Sequence, residues 1–277
     1  MGLWDSITTL PQDTAQAFVN VLEGMIVSFI EPMLEIVKVL FTVNIDPLVF
    51  TDYWLLIVSV ISAFYIILFL LVGFKFLFGS YDAKQRAEAK EWAKKAVLLV
   101  LTVNASLVMY SLLLNLSSSV ATTLWSTEFE SLFIIENIAT LDLIWLSLFS
   151  TTLFLAVVTI IVRHMFLILG VMLFPIGLFL NFIEPLKVYG SAILNLIGGA
   201  AFMNVLDVLV LIAVQLFVTE FSYLSMIGIV APTLGFLFVA LMNITLFIVA
   251  ILKALNSMGV NINVSQVVKT VAGVALA

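Results

Sequence analysis

The chain has 277 residues, 64% of them hydrophobic and 10% charged, with no cysteine, one histidine and a formal net charge of −6. A water-soluble domain keeps about a quarter of its residues charged, so most of this surface faces something other than water. Disulfides, thiolate metal sites and histidine-rich metal centres are excluded, and the acidic balance (pI near 4.7) argues against a general nucleic-acid-binding surface.

In lipid every backbone polar group must be satisfied internally, which leaves helices or closed barrels. The apolar runs here are long and continuous rather than short and alternating, which selects helices. The expected fold is therefore all-α: a polytopic transmembrane bundle of about six spans, each of about 20 residues, with an N-terminal amphipathic helix. Residues 1–52 form an external or interfacial amphipathic segment, 53–253 the transmembrane domain and 254–277 a C-terminal tail.

The N-terminal stretch lacks the basic region and apolar core of a cleavable signal peptide, and Asp5, Pro11 and Asp13 interrupt it. Residues 13–43 read as an amphipathic helix. On a helical wheel Asp13, Gln16, Asn20, Glu23, Glu31, Glu35 and Lys38 fall within about 100° of one another. Three glutamates are costly on a spanning segment, so this helix is expected in the interface or beside a wet cavity. Its acidic face, Glu23, Glu31 and Glu35, is expected to pack against partner subunits. Asn44–Pro47 then breaks the helix.

The first span is Tyr53–Phe78, opened by Tyr53 and Trp54 at interface depth. The charged segment Ser80–Lys95 reads as a helix from its Ala, Glu and Lys content. The second span runs from Ala96 to Leu116, and a polar, acidic connection with Glu128, Glu130 and Glu136 follows over Ser117–Asp142. The third span is Leu143–Val162 and the fourth Met165–Ile183. The Arg163–His164 corner between them is a tight turn or no turn at all, in which case the two form one long helix. Glu184–Gly190 is a polar break, Ser191–Val218 the fifth span and Met226–Leu252 the sixth, followed by a weakly amphipathic tail over Asn256–Ala277.

Lysine and arginine set the orientation. Lys75, Lys84, Arg86, Lys90, Lys94 and Lys95 are six of the eleven basic residues and flank the first loop, whereas Ser117–Asp142 has none. That loop is expected in the cytoplasm of an inner or plasma membrane, the acidic connection and the N-terminal segment outside, and Arg163 back inside. Lys187, Lys253 and Lys269 are too few to orient the last third, where a sixth span puts the C-terminus outside.

Asp207 is the only acid well inside an expected span, with Asn204 and Gln215 on the same face. It is either an ion or proton site on a polar passage, or a packing contact with Arg163, Lys253 or a basic group of a partner. Asn104, Ser111, Asn115, Ser118 and Thr122 share a face of the second span, which lines water or makes interhelical hydrogen bonds. His164 is a proton shuttle or a headgroup-facing residue. Pro175 and Pro232 mark kinks, and Gly198–Ala201 is a small-residue surface for close helix approach. The basic segment could hold anionic lipid or a nucleic-acid backbone, though Asp82, Glu88 and Glu91 dilute it and a topogenic anchor is the plainer reading. No phosphate-cradling glycine loop, H-E-x-x-H or G-x-S-x-G is present, so neither an enzyme nor a bound cofactor is expected.

The order of these pieces resembles the polytopic inner-membrane subunits of type IV secretion and conjugation machines, the VirB/TrbL type, and their archaeal relatives in the Ced DNA-import system. The resemblance covers residues 13–253. It rests on the external amphipathic segment, the cytoplasmic turn ending in Glu91-Trp92-Ala93-Lys94-Lys95, the external polar connection, Arg163 with Leu173-Phe174-Pro175, and Glu184-Pro185-Leu186-Lys187 leading into Gly198-Gly199. The connection is shorter than the external domain many bacterial members carry. The resemblance implies a non-enzymatic channel or scaffold for DNA, working in a complex with small hydrophobic pilin-like proteins and energised by a cytoplasmic VirB-type ATPase. The rival expectations are an ion-coupled transporter of a small solute using Asp207, and a passive structural anchor.

Overall fold

The computed structural model describes residues 3–43, 45–79, 83–125, 143–221 and 227–257. The C-terminal tail from residue 258 and residues 126–142 of the acidic connection, expected from sequence, lie outside the described residues. Among those described there are seven α-helices and no strand: α1 (Leu3–Thr42), α2 (Thr51–Phe78), α3 (Ala83–Asn104), α4 (Ser106–Leu124), α5 (Leu143–Phe182), α6 (Lys187–Glu220) and α7 (Ile227–Ser257). Five stretches are long and apolar enough to cross a membrane, namely Pro47–Phe78, Ser106–Leu124, Ile144–Phe182, Glu184–Glu220 and Ile227–Lys253. The protein is an all-α, multi-pass membrane protein.

The elements begin and end for local reasons. The break after α1 is a 3-10 turn over Pro47–Phe50, where the Asp46 carboxylate accepts from the Leu48 N–H at 3.0 Å and Pro47 occupies the first position, where no N–H is needed. Charged α3 and apolar α4 are separated by Ala105 alone. The helical ladder continues across it, with the Ala105 N–H on the Leu101 carbonyl at 2.9 Å and the Met109 N–H on Ala105 at 3.0 Å. The expected charged helix and second span are therefore nearly one rod.

The expected third and fourth spans form one continuous helix, the no-turn alternative, so the described residues hold five candidate spans. Arg163 and His164 lie inside α5, not in a turn, and Arg163 is fully buried. At about 1.5 Å per residue α5 is about 60 Å long, about twice the hydrocarbon thickness of a bilayer. Its exposed large apolar side chains nevertheless fall between Ile144 and Leu169. That stretch is about as long as one bilayer with its interfaces. From Met172 to Phe182 the side chains are buried or half-buried. Pro175 in α5 and Pro232 in α7 are both buried, where neighbouring helices tolerate the lost hydrogen bond.

Contacts divide the chain into two units, one comprising Met1–Val43, Ser118–Arg163 and Met203–Ile244, the other Asn44–Ser117, His164–Phe202 and Thr245–Ala277. The amphipathic helix belongs to the first unit. The apolar face of α1 (Ile30, Met33, Leu34, Val37, Phe41) belongs to one core with Ala121 of α4, Leu153 and Ile160 of α5, Val208 of α6 and Phe236 of α7. Phe41 stacks on Trp125 with ring centroids 5.6 Å apart, and Phe149 meets Phe236 edge-on at 5.8 Å.

The second unit is closed by polar side chains that reach neighbouring helices. Trp54 Nε1 donates to Ser106 Oγ at 2.8 Å, Tyr110 OH to the Leu167 carbonyl at 2.5 Å, and Ser117 Oγ to the Ala201 carbonyl at 2.5 Å. Small residues let the backbones approach. A Cβ on Gly190 would lie 2.3 Å from the Asn181 nitrogen, and one on Gly199 would lie 2.9 Å from Leu246 Cδ1, whereas Gly198 faces open space.

Candidate functional site

The first unit holds a cluster of buried polar residues from three helices. Asn204 and Asp207 are three residues apart on α6 and so share a face. Arg163 comes from α5 and Asn243 from α7. Arg163, Asp207 and Asn243 are each 0% exposed, and Asn204 is 8% exposed. An isolated charge in this apolar setting would be expensive, and the cluster offsets that cost by pairing opposite charges.

The Arg163 guanidinium serves three acceptors. One terminal nitrogen donates to Asp207 Oδ2 and, at 3.3 Å, to Asn243 Oδ1, while the other donates to Asn204 Oδ1 at 2.9 Å. Asn243 Nδ2 donates to Asp207 Oδ2 and to the Val239 carbonyl, each at 2.9 Å. The Phe41 ring of α1 lies 5.9 Å from the guanidinium carbon, close enough for a cation–π contact. Arginine suits this place because its planar, rigid fork addresses several acceptors at once, as a lysine ammonium does not. The Nε of Arg163 and the Oδ1 of Asp207 are buried without a hydrogen-bond partner.

Asp207 and Asn204 of α6 both bond to Arg163 of α5. Asn243 was not singled out by sequence. Its signal is the one Asp207 gives, a lone side chain with strong polar groups inside an apolar run. Chemically the cluster joins one basic and one acidic group with two amides from three helices, so it can tie those helices together. No group of three or more His, Asp or Glu able to hold a metal occurs among the described residues.

The other expected site residues are dispersed. Asn104 and Asn115 are exposed and Ser111 is half-buried, all in the second unit. They bond along their own rod: Asn104 Nδ2 to the Val100 carbonyl at 2.7 Å, and Asn115 Nδ2 to Ser111 Oγ at 3.3 Å. Glu31 and Glu35 are exposed on α1 and Glu23 is half-buried. Lys84, Arg86, Lys90, Lys94 and Lys95 are all exposed on α3. Lys95 lies 3.6 Å from Glu91, and Lys75 of α2 sits 3.9 Å from the centroid of Trp92. His164 is half-buried.

Comparison with protein-family models, with curated proteins and with solved structures finds no match for this chain.

Proposed function

We propose that the protein is a non-enzymatic channel or scaffold subunit of a membrane-embedded DNA-transfer apparatus of the type IV secretion, conjugation or DNA-import kind. The observation that carries this reading is where the polar residues lie. The buried charges of the first unit, Arg163 and Asp207, neutralise each other, while polar groups on helices of the bundle, Glu31 and Glu35 of amphipathic α1 and Asn104 and Asn115 of the α3–α4 rod, face outward. A lipid-facing surface disfavours such groups, whereas a neighbouring subunit can hydrogen-bond or pair with them. The order of segments supplies the type of apparatus. Small pilin-like membrane proteins are the partners expected at α1, and a cytoplasmic ATPase is the expected energy source.

Five spans also give the basic residues a single side. With α2, α4, α5, α6 and α7 crossing in alternation, the turn from α2 to α3, the turn from α5 to α6 with Lys187, and the end of α7 with Lys253 share one face. By the positive-inside rule that face is cytoplasmic. The N-terminal helix then starts outside and α7 ends inside. The ion-coupled alternative gains nothing from the geometry, since Asp207 is fully buried and one of its oxygens is shared by Arg163 and Asn243. The test is deletion of the gene. DNA transfer or uptake should be abolished while growth on defined solutes is unchanged, and unaltered transfer would defeat the proposal.

A further inference from the structure

We propose that the second unit binds an anionic phospholipid in a cavity framed by α2, α3 and the α5–α6 junction. The cavity has a volume of about 310 Å³ and takes Leu68 from α2, Trp92, Lys95, Leu98 and Leu99 from α3, Asn181 and Phe182 from the end of α5, and Glu184 and Lys187 from the turn into α6. Its lining combines two chemistries. Two lysine ammonium groups and an amide supply donors for a phosphodiester. Leu68, Leu98, Leu99 and Phe182 form an apolar wall that matches an acyl chain. Trp92, an amphipathic ring of the kind that settles at headgroup depth, belongs to the same lining and is already held by Lys75 at 3.9 Å.

Other features of the unit favour a lipid over a free anion or a nucleic acid. Lys187 opens the 34-residue helix α6, so the positive end of its dipole adds to the lysine field. Glu184 on the same lining is a hydrogen-bond acceptor suited to a headgroup hydroxyl, and it repels a second phosphate, which weakens the match to a polyanionic strand. An apolar wall also gives a nucleic-acid backbone nothing to bind, whereas basic pockets between membrane helices recur as lipid headgroup sites. The inference stands apart from the DNA-transfer reading, because it concerns how the helix junction is held at the membrane surface.

The experiment uses the full-length protein purified in neutral detergent, with lipid retention read by native mass spectrometry and stability by thermal melting. The arms are phosphatidylglycerol, phosphatidylcholine, inorganic phosphate and a single-stranded oligonucleotide. Phosphatidylglycerol should be retained and raise the melting midpoint, and the other three should not. Lys95→Ala with Lys187→Ala should weaken the apparent Kd for phosphatidylglycerol about tenfold or more, since each removes a charged hydrogen-bond donor. The double arginine variant should keep binding, and Lys84→Ala with Lys90→Ala on the same helix should leave it unchanged. Equal stabilisation by inorganic phosphate, displacement of lipid by the oligonucleotide, or equal loss in the Lys84/Lys90 variant would each overturn the proposal.

Discussion

Replacing Asp207 with alanine tests the buried cluster most sharply. The Arg163 guanidinium would stay at 0% exposure with only neutral acceptors, Asn204 and Asn243. Removing one member of a buried ion pair costs about 3–5 kcal/mol. An unpaired arginine at the centre of a bilayer costs about 2.5–3.5 kcal/mol on insertion scales. Two independent routes thus converge on about 3 kcal/mol, with the remaining amide bonds holding the value to the lower end. Replacing both residues with leucine removes the charge along with its partner. What remains is the lost bonding of Asn204 and part of that of Asn243, which keeps its Val239 carbonyl, about 1–2 kcal/mol in total. The double variant should therefore be more stable than either single one, with a coupling of at least about 2 kcal/mol. The assay is reversible SDS unfolding in mixed micelles for the wild type, Asp207→Leu, Arg163→Leu and the double leucine variant, which form the cycle, with Asp207→Ala measured alongside. Losses that simply add, or a single Asp207→Ala loss below about 1 kcal/mol, would refute the reasoning that these groups tie the unit together.

The remaining predictions concern packing and partners. Gly190→Ala places a methyl 2.3 Å from the Asn181 nitrogen and 2.6 Å from the Gly177 carbonyl oxygen; it should lower the melting midpoint and the yield of monodisperse protein, at about 1–3 kcal/mol or more. Gly198→Ala, which meets nothing within 4 Å, should be neutral or slightly stabilising in the same measurement. Tyr110→Phe deletes the bond to the Leu167 carbonyl and should cost about 1 kcal/mol in SDS unfolding. Charge reversal at Glu31 and Glu35, both exposed, should leave the isolated protein's melting unchanged but reduce crosslinking of α1 to its partner subunits in cells; unchanged crosslinking would remove the acidic face from that interface.

Much of the architecture is legible in the sequence because lipid imposes a simple rule on composition: apolar runs of sufficient length become helices. The breaks are legible too, since Asp46-Pro47 and Glu184-Pro185 have chemistry that stops a helix. Arg163 shows where the rule fails. An arginine inside an apolar run reads as a corner, because alone it could not stay there. The groups that let it stay lie 41, 44 and 80 residues away on other helices, beyond the reach of any local pattern. The Asn104–Thr122 stripe illustrates a different limit. Helical periodicity groups those side chains, but one helix's pattern cannot say whether its polar face points inward or outward, since in a membrane both faces adjoin apolar neighbours.

The five-span topology is the claim on which sidedness and partner surfaces rest, and the chain's lack of native cysteine makes it directly measurable. Single cysteines at Lys90 in α3 and at Leu186 in the turn before α6 can be labelled in intact cells and in inverted vesicles with a reagent that does not cross lipid. If α5 crosses once, both positions label from the same face, the interior one. Labelling from opposite faces would mean that the chain crosses twice between Leu143 and Phe182, and would contradict the account.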